Sequence, residues 1–246
     1  MAKKISKKCD IHIPQLPQSI HVNSLKLTEK QKQFLSIAFN NKTNIMLVAG
    51  PAGSTKTYMA VYAALRLLSA KEYLDLLYVR TVIESADKGL GALPGDIDEK
   101  FNPYTAPLED KLVEMLPKTN TVRKELFESG RISAIPINYL RGASWKDKII
   151  IADEAQNFTY KELTTLLTRI GKNCKLIICG DFMQSDINGK NGFPAMFDLF
   201  NDERSAKMGI HAFRFGKEDI LRSEILKYII EKLSGDEKLG SGREKR

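Results

Sequence analysis

A short apolar run, a glycine-containing loop and a helical stretch follow one another directly between residues 44 and 69. The apolar run covers residues 44–49, and the helical stretch begins at residue 56. The loop and the first helical turn consist of Gly50, Pro51, Ala52, Gly53, Ser54, Thr55, Lys56 and Thr57. A strand, a tight loop and a helix start in this order form a cradle for the phosphates of a nucleoside triphosphate. The segment therefore predicts a nucleotide site at the end of a strand.

The residue types of this loop suit a ligand with several negative charges. Backbone N–H groups and the positive end of the helix dipole attract phosphate, and Gly50 and Gly53 let the backbone come close. Lys56 would reach the β- and γ-phosphates, and the Thr57 hydroxyl would coordinate Mg²⁺. We therefore expect ATP and Mg²⁺ to bind here.

Thr55 departs from the usual pattern, which has glycine immediately before the lysine. A β-branched side chain adds bulk beside the ligand and disfavours a positive φ. A chance glycine turn, or a loop that has lost its hydrolytic ability, is the alternative interpretation. The strand, the Lys-Thr pair and the helix all stand where a phosphate loop needs them, which favours the nucleotide site.

Two adjacent carboxylates, Asp153 and Glu154, follow the apolar run 148–152. At the carboxyl end of a strand, Asp153 would hold Mg²⁺ and Glu154 would deprotonate the attacking water. Acid pairs are also common before helices, so the pair gains weight only beside the phosphate loop. Gln184, after the next apolar run, is a candidate sensor of the γ-phosphate, although a polar turn residue is the simpler interpretation. Arg80, Arg141 and Arg222 also fall near predicted strand or helix ends, where a guanidinium suits the charge that develops on the γ-phosphate. We assign Arg141 to nucleotide binding, although most arginines on such a surface are merely solvated.

Apolar runs alternate with amphipathic stretches along the chain, which predicts a mostly parallel α/β sheet covered by helices on both faces. The predicted strands are residues 44–49, 75–80, 132–137, 148–153, 175–180 and 210–214. The predicted helices are residues 27–39, 56–69, 106–116, 122–129, 160–170, 194–200 and 217–233, with Thr28 and Gln31 as a capping pair for the first. Residues 81–103 are expected to form a long functional loop.

Composition and charge restrict the function classes only broadly. The chain has 246 residues, is 43% hydrophobic and carries a net charge of +8. Its apolar runs are far too short to cross a membrane, and no secretory signal is recognisable, so we expect a cytoplasmic protein. Cys9, Cys174 and Cys179 do not form a disulfide or zinc pattern. We expect a basic flexible arm at 1–23, one ATPase domain at 24–234 and a flexible basic tail at 235–246; the arm is either a nucleic-acid contact or a solvated end.

The chain resembles the PhoH-like ATPases, which are related to superfamily 1 helicases. The resemblance extends from about residue 27 to residue 233. Its most specific part is the segment 88–104, KGLGALPGDIDEKFNPY. Shorter matches follow in order: 139–142 YLRG, 153–157 DEAQN, 180–186 GDFMQSD and 219–223 DILRS.

The resemblance implies a RecA-like P-loop fold and a role for several single residues. It assigns residues 50–57 to the ATP phosphates, Thr57 and Asp153 to Mg²⁺, Glu154 to the catalytic base and Gln184 to the γ-phosphate sensor. Arg222 resembles an arginine that acts on a neighbouring subunit's ATP, which implies a homo-oligomer, plausibly a hexameric ring. Gln31 resembles the adenine-contacting glutamine of related helicases.

Two function hypotheses from different classes remain open. The first is an ATPase that couples hydrolysis to binding or remodelling RNA or single-stranded nucleic acid. The second is a nucleotide-binding switch or assembly module with weak hydrolysis and no coupling to nucleic acid, which the substitution at Thr55 suggests. A small-molecule kinase is disfavoured because no acceptor site is recognisable and Glu154 suits water activation.

Overall fold

The computed structural model describes residues 20–70, 74–81, 97–117, 120–137, 140, 144–184, 191–220, 228 and 232. Its centre is a six-stranded sheet in the order β3-β2-β4-β5-β1-β6. The strands are β1 Ile45–Ala49, β2 Asp75–Arg80, β3 Ile132–Pro136, β4 Lys148–Asp153, β5 Lys175–Gly180 and β6 Ile210–Arg214. All five strand pairings are parallel, so the predicted α/β class is confirmed.

Seven α-helices lie within the described part of the chain. They are α1 Glu29–Phe39, α2 Lys56–Ala70, α3 Ile97–Met115, α4 Asn120–Glu128, α5 Tyr160–Leu167, α6 Phe193–Leu199 and α7 Glu203–Lys207. The predicted capping pair begins α1: the Thr28 hydroxyl accepts the Gln31 N–H, and the Gln31 side chain accepts the Thr28 N–H. Each of these two hydrogen bonds satisfies an N–H group that has no partner within the helix.

Alternate residues of each central strand enter two separate apolar cores. Met46, Val48 and Ile151 lie in the core under α1, α2 and α3. Leu47 and Ile150 lie in the opposite core, which α5 and α6 cover. The two-residue period of a strand produces this division, and burial on both faces explains why the strands are almost continuously apolar.

Two predicted elements differ from the structure, and one helix of the structure was not predicted. The long loop predicted at 81–103 is wrong at its end, because α3 already begins at Ile97 and includes Pro103 and Pro107. Proline is normally a helix boundary, but α3 packs against α2 and β3 and buries Leu108 and Leu112, and this packing outweighs the lost N–H donors.

The helix predicted at 217–233 does not begin as an α-helix. Lys217–Asp219 forms a short 3₁₀ turn, and Ile220 has extended backbone. The Asp219 carboxylate accepts the Gly216 N–H at 2.7 Å, which closes the turn locally. Helix α7 was not predicted, because none of its residues is buried and it therefore has no apolar period.

The two ends of the chain are described only in part. Residues 1–19 and 233–246 lie outside the described residues, so the basic arm and tail remain predictions. Ile20 and Val22 are buried in the core beside α2 and α3. The Asn23 N–H donates to the Met115 carbonyl at 2.9 Å, which fixes this short segment against the end of α3.

Candidate functional site

The carboxyl ends of β1, β4 and β5 meet beside the start of α2 and enclose a cavity of about 420 Å³. Lys56, Thr57, Asp153, Glu154 and Gln184 all line this cavity. These residues are up to 128 positions apart in the chain, and the crossovers of the parallel sheet bring them together. Their chemical roles stay predictions, but their common location is a property of the fold.

The loop between β1 and α2 needs glycine at two positions. A side chain at Gly50 would lie 2.7 Å from Ser54 Oγ and 2.9 Å from Phe215 Cβ, so the loop has no space for one. Gly53 has φ 79°, a left-handed conformation that glycine adopts without strain. Ser54 is buried, and its N–H and hydroxyl both donate to the Pro51 carbonyl, at 3.2 and 2.7 Å. The loop is therefore closed by its own hydrogen bonds.

Thr55 also has left-handed backbone, with φ 66°. A β-branched residue in this conformation costs about 1–3 kcal/mol, so another contact must hold it. The Gln31 side chain supplies one: its Nε2 donates to Thr55 Oγ1 at 3.1 Å. Gln31 is only 4% exposed. The threonine that departs from the usual loop pattern is thus held by the capping glutamine of α1.

Lys56 and Thr57 open α2 and place their polar groups at the mouth of the loop. The Lys56 ammonium donates to the carbonyl oxygens of Gly50 and Pro51, at 2.6 and 2.9 Å. Its charge is therefore held over the loop, at the helix end where the backbone dipole also attracts anions.

Asp153 is buried at the end of β4 and accepts two hydroxyl groups. Thr57 Oγ1 donates to Oδ1 at 2.7 Å, and the Tyr78 hydroxyl donates to Oδ2 at 2.5 Å. The hydroxyl and carboxylate oxygens that Mg²⁺ prefers thus lie within hydrogen-bond distance of each other. Among the residues that the structure describes, no group of three or more His, Cys, Asp or Glu side chains could hold a metal alone. A single carboxylate with a hydroxyl fits an ion that takes its other ligands from phosphates and water.

Tyr78 was not predicted as a site residue. It lies in β2 opposite Ile151, two residues before Asp153, so both side chains are on the same face of the sheet. Burial first, and then the neighbouring Asp153 charge, raises the pKa of Tyr78 far above its ordinary value of 10.0, so the hydroxyl stays protonated and donates. The one clue in the sequence is a hydroxyl in an otherwise apolar strand, which is informative only when the strand pairing is known.

Glu154 follows Asp153 with left-handed backbone, φ 55°. Gln156 Nε2 donates to its Oε2 at 2.5 Å, and Arg80 lies 3.8 Å from its Oε1. Gln156 Oε1 accepts the Asp181 N–H at 3.0 Å, which links Glu154 to the end of β5. Burial, and secondly the Asp153 charge, raises the pKa of Glu154 above its ordinary value of 4.5, while Gln156, Arg80 and Lys56 act in the opposite direction. The carboxylate is thereby a stronger proton acceptor than a solvated one.

The remaining wall of the cavity is a face of α3 that sequence reasoning missed. Pro107, Lys111 and Glu114 line the cavity, with the helical spacing of one face, while Leu108 and Leu112 on the neighbouring face are fully buried. Burial, and secondly Glu114, raises the pKa of Tyr58, which lines the same wall. The helix predicted at 106–116 covers these residues, but nothing in the sequence showed that this face of the helix would lie beside the cavity.

Gln184 is exposed at the rim of the cavity, after a segment anchored by Phe182. The Phe182 ring packs at 5.6 Å from Phe193 and 5.1 Å from Phe197, and Arg214 lies 5.2 Å from its centroid. Phe182 is therefore a packing residue here. Trp145 is likewise buried in the core. Arg141 and Arg222 lie outside the described residues.

A parallel α/β sheet with a phosphate loop at the end of one strand, and a carboxylate from another strand bonded to the residue after the loop lysine, defines a P-loop nucleoside triphosphatase fold. Comparison with known proteins narrows this class. The family model described as "PhoH-like protein" matches residues 25–234. The chain belongs to the PhoH-like protein family.

Relatives in several bacteria are named PhoH or PhoH-like proteins. A PhoH-like protein of Bacillus subtilis is 34% identical over 195 residues, which are 79% of this chain and 60% of the relative. Protein PhoH of Escherichia coli is 34% identical over 203 residues, 82% of this chain and 55% of the relative. The chain thus spans less than two thirds of the length of these relatives.

Two solved structures are similar to this chain at low identity and low TM-score. The SWI2/SNF2 ATPase core of Sulfolobus solfataricus in complex with dsDNA matches with a TM-score of 0.47 and 16% identity, over 82% of this chain and 47% of that one. Pif1 helicase from Candida albicans matches with a TM-score of 0.38 and 15% identity, over 78% and 40%. Within the described residues, the structure contains no helix long and apolar enough to cross a membrane.

Proposed function

We propose that this chain binds ATP with Mg²⁺ in the cavity at the end of β1 and β4, and hydrolyses it. The hydrogen bond of 2.7 Å between Thr57 and Asp153 supports this proposal most directly. It brings the two oxygen types of a magnesium site together, directly after the loop whose backbone and lysine suit the phosphates.

Each of the site residues has a stated task in this proposal. Residues 50–57 bind the phosphates through backbone N–H groups and the Lys56 ammonium, and Thr57 and Asp153 hold the ion. Pro51 has no N–H, and the N–H groups of Gly50 and Ser54 already donate to the carbonyl oxygens of Gly180 and Pro51. Mg²⁺, when bound, would neutralise charge on the phosphates. Glu154 accepts a proton from the attacking water, Arg80 and Gln156 orient its carboxylate, and Gln184 contacts the γ-phosphate at the rim. Arg141 is assigned to the nucleotide because a guanidinium suits the charge that develops on the γ-phosphate.

We further propose that hydrolysis is coupled to RNA or other single-stranded nucleic acid in a ring of subunits. The motif order of the family and the net charge of +8 support this. Arg222 resembles an arginine that acts on the ATP of a neighbouring subunit, so the proposal requires a homo-oligomer, for which we propose a hexamer. A single nucleotide-binding core lacks the second half that helicases of this type use, and a neighbouring subunit would supply it.

The experiment is ATP turnover with and without single-stranded RNA, with Glu154→Gln as the inactive control. We expect turnover that RNA increases, that salt diminishes and that the variant lowers by about 10²–10⁴-fold. Turnover at the level of the variant in the unsubstituted protein, with ATP still bound, would contradict the ATPase and leave the second candidate.

That second candidate is a nucleotide-binding switch or assembly module, and the left-handed Thr55 is the observation in its favour. It predicts tight ATP binding, negligible turnover and no response to RNA. A Thr55→Gly variant separates the two, because turnover should rise greatly only if the threonine limits hydrolysis. For the ring, the molar mass in solution with and without ATP is the direct test, and a fully active monomer would contradict it.

A further inference from the structure

Both polar atoms of the Gln31 amide form hydrogen bonds inside the protein. Its Nε2 donates to Thr55 Oγ1 at 3.1 Å, and its Oε1 accepts the Thr28 N–H at 3.0 Å. A glutamine that recognises adenine uses its oxygen and its nitrogen together, on the N6 and N7 edge. Both atoms of this amide already have partners, and the side chain is only 4% exposed.

The surroundings of Gln31 make it a rigid support. Its backbone N–H donates to Thr28 Oγ1 at 3.2 Å, so the residue is fixed in the first turn of α1. Phe34, one turn later, is fully buried and packs 5.6 Å from Phe213 and 5.8 Å from Phe215. Phe215 in turn donates its N–H to Ala49, directly before the loop. Helix α1 and the strand that carries the loop therefore form one packed unit.

Of the two residues joined by this hydrogen bond, Thr55 is the one that faces the cavity. It lines the cavity, whereas Gln31 is not among the lining residues. Its left-handed backbone is strained for a β-branched residue, and such a conformation persists only where neighbouring contacts hold it. The Gln31 bond is a contact of this kind, and it reaches the loop at the residue immediately before Lys56.

We propose that Gln31 is a positioning residue that holds the phosphate loop through Thr55, and that it does not recognise the base of the nucleotide. This inference rests on the proposed function, because it assigns a task within that nucleotide site. Gln31 then contributes equally to binding any nucleoside triphosphate, since the loop contacts only the phosphates. Gln31 therefore does not favour one base over another.

The test is a calorimetric titration of ATP and of GTP, each with Mg²⁺, into four forms of the full chain: unsubstituted, Gln31→Ala, Thr55→Gly and the double variant. We expect Gln31→Ala to weaken both nucleotides by the same factor, about three- to tenfold, the equivalent of one net hydrogen bond. In the Thr55→Gly background, the same substitution should have no further effect, because glycine adopts a positive φ without support.

Two variants serve as controls. Gln33→Ala removes an exposed glutamine from the same helix and should leave both affinities unchanged. Thr55→Ser keeps the hydroxyl that Gln31 bonds, so Gln31→Ala should still weaken both nucleotides in this second background. A weakening of ATP alone in Gln31→Ala, repeated in the Thr55→Gly background, would identify a base contact and overturn this inference alone. Unchanged affinities in Gln31→Ala would also overturn it, and an unsubstituted protein that binds neither nucleotide would overturn the proposed function together with it.

Discussion

Thr55 and Glu154 both have left-handed backbone at the same cavity, yet the protein holds them differently. Gln31 holds Thr55 from 24 residues away, through a helix that belongs to another part of the fold. Gln156 holds Glu154 from two residues away, within the same short turn, and then reaches across to Asp181. The side of the cavity that carries Thr55, the phosphate side, therefore depends on tertiary packing. The side that carries Asp153 and Glu154, the acid side, is organised first by its own local sequence.

Two residues that lie before the amino ends of β4 and β5 can be compared with Thr55 and Glu154. Asp147 and Asn173 also have positive φ, and the Asn173 amide donates to the Asp147 carboxylate at 2.7 Å. Asp and Asn tolerate this conformation, so these turns need little support. Threonine and glutamate tolerate it less well. Thr55 and Glu154, whose residue types are not adapted to a positive φ, both lie at the cavity. The strained backbone places Thr55 beside Lys56 and Glu154 beside Asp153.

Tyr78→Phe should have the largest effect on stability, because it removes a donor from the buried Asp153 carboxylate on the acid side. We expect the free energy of unfolding to fall by about 1.5–3 kcal/mol, as for a hydrogen bond to a charged group. Urea titration measures this. Tyr160→Phe, which changes an exposed tyrosine, should stay within about 0.5 kcal/mol. Equal unfolding curves for Tyr78→Phe and the unsubstituted protein would show that the acid side does not need this hydroxyl.

Gln156→Ala should lower turnover about tenfold while the affinity for ATP changes little, because Glu154 loses the donor that orients it. Gln31→Ala should do the reverse and act on affinity. Steady-state kinetics together with binding titrations separate these effects. If both variants lowered affinity and turnover alike, the two sides of the cavity would act as one unit and the contrast between them would fail.

Thr55→Ala should cost about 1 kcal/mol of unfolding free energy, because the strain remains and the buried Gln31 amide loses its acceptor. Thr55→Ser keeps the acceptor and should be nearly neutral. Chemical denaturation without nucleotide is the suitable measurement, since it detects the loop alone. A stable alanine variant would mean that Thr55 needs no support from Gln31.

The smallest effect concerns His211 in β6, far from both strained residues. Burial, and secondly Lys175, lowers the pKa of His211 from its ordinary value of 6.5. Below about pH 6.5, the unfolded chain therefore binds this proton more readily than the folded one, so the free energy of unfolding declines as the pH falls. His211→Asn should make this decline shallower between pH 7 and pH 5, measured by denaturation at each pH. A steeper decline in the variant would reverse the assigned direction.

Much of the fold was predictable from local patterns. The predicted limits of β2, β4, β5 and β6 agree with the structure, because strands buried on both faces have long apolar runs bounded by polar residues. The capping pair of α1 was equally clear from Thr28 and Gln31. The course of α3 was not, since its prolines indicate a boundary that packing against neighbouring elements overrides.

The candidate site divides in the same way. Lys56, Thr57, Asp153 and Glu154 stand in motifs whose spacing along the chain indicates their chemistry. Tyr78 and Arg80 approach the acid pair only because β2 and β4 are neighbours in the sheet, and Lys111 and Glu114 reach the cavity only because α3 packs beside it. Nothing in the sequence near these residues states which strand or helix will be their neighbour.

The sequence by itself determined the strands, the phosphate loop, the acid pair and the positions where glycine would be expected, because each depends on a period or a motif within a few residues. The tertiary structure alone decided which side chains support the strained residues. The hydrogen bond between Gln31 and Thr55 joins positions 24 residues apart, and the hydrogen bond between Tyr78 and Asp153 joins positions 75 residues apart. Such contacts arise from the order of strands and the packing of helices, which are properties of the whole chain and not of any segment of it.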